Sequence, residues 1–123
     1  MAYEVHLKEF DGPLDLLLHL IEQAKVNIKD IFISEITNQY LSLMEELDEL
    51  DMDTASEFLT MAATLVYIKS RSLLPKPPKE AEEEEDPEEA LVRQLKEYKL
   101  FKQAGEKLNE LSAGMRGVFS RLP

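Results

Sequence analysis

Between Phe58 and Ile68 the chain carries no charged residue, and its apolar side chains fall on almost every side of a helix. Thr54 and Glu57 form a capping box at the start of that helix, and Pro75 stops it. At about 100° per residue, Phe58, Leu59, Ala62, Leu65, Val66 and Leu73 make one face. Met61 and Ile68 continue it on one side; Ala63, Tyr67 and Leu74 continue it on the other. Only Thr60, Thr64 and Arg71 leave a thin polar seam. A helix apolar nearly all round must be covered nearly all round. A three-helix body over residues 1–74 covers one of its faces, so the other calls for a further chain. Full burial of some five such side chains contributes roughly 1.5–3 kcal/mol each before the costs of association. The plainer alternative is that the fourth helix, or the connector at 26–33, covers that face within the chain.

The rest of the chain fits an all-α fold with a short strand at its start. Residues 3–10 alternate, with Tyr3, Val5 and Leu7 on one side and Glu4, His6 and Lys8 on the other. That period predicts a half-buried strand, although no second strand pattern follows to pair with it. The first helix spans 13–25. Gly12 and Pro13 suit its start, and Leu14, Leu16, Leu17, Leu18, Leu20, Ile21 and Ala24 fill one arc. The second helix runs from Ser34 to Leu50 with a narrow stripe of Ile36, Tyr40, Leu43, Met44, Leu47 and Leu50. Residues 75–86 form an acidic, Pro-rich linker, which could reach roughly 37 Å if fully extended. A fourth helix follows from Pro87 to about Ser112. Leu91, Leu95, Tyr98, Phe101, Leu108 and Leu111 make a drifting apolar seam along it. The tail from Gly114 to Pro123 is read as extended, with Met115, Val118, Phe119 and Leu122 as anchors. The organisation is therefore a helical domain at 1–74, a linker at 75–86, and a separate long helix with its tail at 87–123.

Charge and composition exclude several function classes. The 123 residues hold 25 Asp and Glu against 14 Lys and Arg, a net charge of −11 that opposes direct binding to duplex DNA. The acidity lies in the body and linker, and residues 91–123 are mildly basic, with 7 bases against 3 acids. With no Cys there is no disulfide, no thiolate-bound zinc and no thiol nucleophile. No signal peptide or membrane span is expected, and the composition fits a cytoplasmic protein. The four glycines build no phosphate loop. His6 and His19 fall on the strand and on the polar arc of the first helix, and His19 is read as a surface neighbour of Asp15 and Glu22. Asp51-Met52-Asp53 opens like a calcium loop, but Ser56 stands at its glycine position and Ala62 at its last ligand position. With no catalytic, cofactor-binding or metal-binding set, the residues describe a helical adaptor rather than an enzyme.

The run Phe10-Asp-Gly-Pro-Leu-Asp-Leu-Leu-Leu-His-Leu-Ile21, together with Ala55 to Pro75, resembles the segregation and condensation protein A family of bacterial kleisins. The resemblance extends from residue 3 to about residue 111. It implies a non-catalytic scaffold in chromosome condensation and segregation, associated with the nucleoid and touching DNA only through its complex. It also implies two protein partners: the coiled-coil neck of an SMC protein, and a dimer of segregation and condensation protein B. The winged-helix segment of that family is not recognised in this sequence. On the third helix, Phe58, Ala62, Leu65 and Val66 are expected to face the first two helices. Met61, Thr64, Tyr67, Ile68 and Arg71 are expected to face the neck. The accessory subunit is expected on Leu91, Leu95, Tyr98, Phe101, Leu108, Leu111, Val118 and Phe119. A competing reading is an acidic helical regulator that mimics nucleic acid and blocks a basic site on another protein. It predicts strongly salt-dependent binding, whereas apolar docking predicts a modest salt dependence.

Overall fold

A computed structural model describes residues 5–33, 35–73 and 86–119. Among the described residues there are four α-helices: α1 (Pro13–Ala24), α2 (Ile36–Leu43), α3 (Met52–Ser72) and α4 (Pro87–Phe119). Three short 3₁₀ helices, Leu7–Glu9, Ile28–Ile33 and Met44–Glu49, fill the connections. The Leu-rich α1 lies at the centre, in contact with α2, α3 and α4. Leu16, Leu17, Leu18, Leu20 and Ile21 of the expected apolar arc are buried there, while Leu14 is half-buried, Ala24 is exposed and Asp15, expected on the polar side, is buried. The buried phenol of Tyr40 donates to the Phe58 carbonyl at 2.8 Å, fixing α2 against α3.

No strand occurs among the described residues, which overturns the strand expected at 3–10. Tyr3 lies outside the described residues. An isolated strand leaves its backbone groups without partners. Here the backbone turns instead: Glu9 N–H donates to the His6 carbonyl at 3.0 Å and Phe10 N–H to Leu7 at 3.1 Å. Leu7 is buried in the core, and Val5 and Phe10 pack against it from either side of the turn. His6 Nδ1 meets Glu46 Oε1 at 3.1 Å, holding the segment against the turn after α2.

The helix ends also differ in detail. The second helix keeps α geometry only to Leu43 and continues as 3₁₀ from Met44 to Glu49. The cap of α3 is Asp51 rather than Thr54: the Asp51 carboxylate accepts from Thr54 N–H at 2.8 Å. Accepting that hydrogen bond holds the carboxyl below the usual range. At its C-terminus α1 closes with Lys25 in the left-handed region, φ 58°. Lys25 N–H donates to the Glu22 carbonyl and Val26 N–H to Ile21, the two bonds of a Schellman motif.

The largest departure concerns α4, expected as a separate helix. Leu91 and Leu95 are buried in the common core, and Tyr98 packs beside them. This first part of α4 lies on α1, on α3 and on the Ile28–Ile33 turn. Burial of those side chains against α1 outweighs the independence that the preceding acidic stretch suggests. The helix also extends to Phe119, past the expected end at Ser112. The stop at Pro75 and the linker as far as residue 85 lie outside the described residues.

Candidate functional site

Among the described residues, exposed apolar side chains recur at helical spacing on α3 and on the far half of α4. On α3, Phe58, Ala62, Leu65 and Ile68 are buried. The other side presents Leu59, Ala63, Val66 and Tyr67, spaced i, i+4, i+7, i+8, as a shallow apolar surface with Ser70 at its edge. Leu59 is 56 % exposed, Val66 46 % and Tyr67 55 %. The threonines of α3 need no partner from outside: Thr60 donates to the Ser56 carbonyl at 2.8 Å and Thr64 to Thr60 at 3.2 Å.

The residues expected to face the SMC neck are therefore divided among four environments. Tyr67 stands on the open face. Ile68 is buried, having exchanged places with Val66, which was expected to point inward. Met61 and Thr64 line a groove of about 530 Å3 between α3 and α4, across from Ala90, Leu91 and Gln94. Arg71 sits 5.9 Å above the Tyr67 ring and pairs with Asp86 at 3.4 Å, linking the end of α3 to the start of α4. Burial, with Asp86 and Glu89 nearby, pushes the Glu88 carboxyl up at this corner. Leu59, Ala63 and Val66 are the open-face residues that the angular reading did not select. A helix apolar on most sides carries no period from which to choose its outward face.

On α4 the expected accessory-subunit residues separate into two groups. Leu91 and Leu95 are buried and Tyr98 is half-buried, while Phe101, Leu108 and Leu111 are 75 %, 66 % and 57 % exposed. The side chains of Val118 and Phe119 lie outside the described ones. Phe101, Ala104, Leu108 and Leu111 follow a 3-4-3 spacing that suits packing against another helix. At 100° per residue this outer seam lies roughly 125° around the axis from the docked seam of Leu91, Leu95 and Tyr98. The helix thus carries one apolar seam for its own core and another on a different side. Where the first ends, Lys102 Nζ donates to Asp15 Oδ1 at 2.8 Å. Asp15 is buried, and its second oxygen accepts from Asp11 N–H at 3.1 Å. The bond to Asp15 raises the Lys102 ammonium above the ordinary lysine range.

His19 is half-buried, its ring 5.1 Å from that of Phe10, rather than on an open surface. Among the described residues no group of His, Cys, Asp and Glu could hold a metal ion. Among them, too, no helix is long and apolar enough to cross a membrane.

These features define an α-helical interaction module with two exposed apolar seams facing different ways. The chain belongs to the segregation and condensation protein A (ScpA) family, whose model matches residues 20–123. It is 49 % identical to segregation and condensation protein A of Brevibacillus brevis over 98 % of this chain and 51 % of that protein. To the Listeria innocua protein of the same name it is 51 % identical, over 95 % of this chain and 49 % of the relative. The Bacillus licheniformis protein is 46 % identical over 100 % of this chain and 51 % of its own length. The chain thus spans about half the length of the curated relatives it matches.

Proposed function

We propose that this chain acts as a non-catalytic kleisin scaffold for chromosome condensation and segregation, in the cytoplasm at the nucleoid. Residues 1–74 grip the coiled-coil neck of an SMC protein through the open face of α3. Residues 87–123 hold segregation and condensation protein B through the outer seam of α4. Contact with DNA is indirect, through the complex. The observation that carries this reading is the exposed apolar stripe of Leu59, Val66 and Tyr67 on a helix whose other side is core. Exposed side chains at i, i+7 and i+8 suit a partner helix laid along them, which is what a coiled-coil neck offers. On this reading Tyr67 touches the neck and Arg71 flanks it, while Ile68 supports the face from behind. Met61 and Thr64, in the groove toward α4, lie outside this face.

The test is capture of the full chain by an SMC head carrying its neck and, separately, by the accessory subunit. Leu59→Glu with Tyr67→Glu should abolish capture by the neck and leave capture by the accessory subunit intact. Phe101→Glu with Leu108→Glu should do the reverse. Unchanged neck capture by the first pair, with helicity retained, refutes the assignment of α3. Apolar docking also predicts that added salt weakens neck capture little, whereas a nucleic-acid mimic would lose its partner.

A further inference from the structure

We propose that the groove between the Ile28–Ile33 turn and the first half of α4 docks an acidic amphipathic helix from a protein partner. This face is separate from the two surfaces assigned above and does not depend on them. The groove has a volume of about 670 Å3. Leu18 and Ile21 of α1, with Val26 and Ile28, make its apolar floor, and Lys29, Lys96 and Lys99 stand on its rim.

The charge pattern selects the occupant. The chain has a net charge of −11, and several of its cations are engaged: Arg71 with Asp86 and Lys102 with Asp15 between helices, and Arg93 with Glu97 along α4. Lys29, Lys96 and Lys99 are exposed, and none pairs with a carboxylate among the described residues. Glu22 is the one acid in the lining. Toward the start of α4 the lining becomes mixed in charge, with Glu88, Glu89 and Glu97 beside Arg93. The basic zone is thus short. It matches a few carboxylates rather than the long run of phosphates on a duplex, which the overall charge also repels. Phosphate would gain nothing from the apolar floor, whereas Leu or Phe side chains would.

The dimensions select a helix. Lys96, Lys99, Leu100 and Gln103 border the groove at i, i+3, i+4 and i+7, a rise of about 10 Å along α4. A partner helix with apolar anchors at the same spacing would seat them on the floor and set its carboxylates against the lysines. Leu100, 67 % exposed, gains cover in the same step.

The experiment is amide NMR of the whole chain titrated with a capped helical peptide that has Leu at i, i+3, i+4 and i+7 and Glu elsewhere. Shifts should concentrate at Ile28, Lys29, Lys96, Lys99 and Leu100, and binding should weaken as salt rises. Lys96→Glu with Lys99→Glu should weaken binding roughly tenfold or more. Lys96→Gln with Lys99→Gln should fall between, with helicity unchanged in both. Three results overturn the proposal: no shifts at the groove, equal binding of the peptide with Lys in place of Glu, or the same shifts from a DNA duplex. Concentration-dependent shifts at the groove without peptide would make a second copy of this chain its occupant and also overturn it.

Discussion

Lys102 and Asp15, 87 positions apart, meet at 2.8 Å and join the middle of α4 to the first turn of α1. Asp15 is almost wholly buried, so the ammonium neutralises a charge that the core would otherwise hold alone. Lys102 is about half exposed, and solvent screens its side of the pair. Replacing Lys102 with Met should therefore cost about 1 kcal/mol in urea unfolding. Amide exchange along the first half of α4 should quicken, with that in α2 unchanged. Because the folded state raises the Lys102 value, this contribution is fully present below the ordinary lysine pKa. It is lost as pH rises past it, so the wild-type advantage over the Met variant should shrink in alkaline urea titrations.

The Tyr40 phenol offers a second pH-linked measurement. Burial pushes its pKa up, and its proton is given to the Phe58 carbonyl. Tyr40→Phe should cost about 1 kcal/mol at neutral pH, since one buried hydrogen bond disappears with little change of shape. In the native protein the phenol's contribution holds below the ordinary tyrosine pKa and is withdrawn above it. Alkaline unfolding should consequently begin earlier in the native protein than it would without that hydroxyl.

The two sides of α3 can be told apart by truncation. Ile68→Ala removes a core side chain and should cost about 2–5 kcal/mol. Val66→Ala, two residues earlier on the open side, should change stability by less than about 0.5 kcal/mol. Equal costs at the two positions would mean that the helix is rotated about its axis.

Lys25 is the one non-glycine residue with positive φ among those described. Its side chain is exposed, so its backbone conformation is the feature under test. Lys25→Gly should raise the urea midpoint by an amount worth about 0.5–1 kcal/mol, because glycine adopts the left-handed conformation without a clash at Cβ. Lys25→Val should lower it.

How much of this was legible in the residues differs by element. The single-sided arc of leucines on α1 could be read directly, because only one helix orientation buries most of them. The existence of α3 was equally plain. Its outward face was not: Val66 and Ile68 are chemically near-equivalent, and tertiary contacts alone decide which goes inside. Residues 3–10 alternate as a strand would, but alternation cannot supply the neighbour whose backbone a strand needs, and a 3₁₀ turn with Leu7 as its anchor resulted. For α4 the seam residues were recognised as a set, yet their division between core and surface escaped the spacing. The break falls between half-buried Tyr98 and exposed Phe101, and nothing in the local pattern marks it. The lysine-rimmed groove was invisible for a related reason. Lys29 and Lys96 are distant in the chain, and only the docking of α4 beside the Ile28–Ile33 turn brings them to one rim.

The two seams of α4 give the molecule a mechanical property. One continuous helix is seated at its near end and presents exposed apolar side chains on another side of its far half. Were the proposed partner held at Phe101 and Leu108, its load would be carried as leverage toward the Leu91–Tyr98 bearing, with the Lys102 strut at the fulcrum. Tension between the bodies held at either end would thus be felt first at that strut, ahead of the leucine-packed centre of α1.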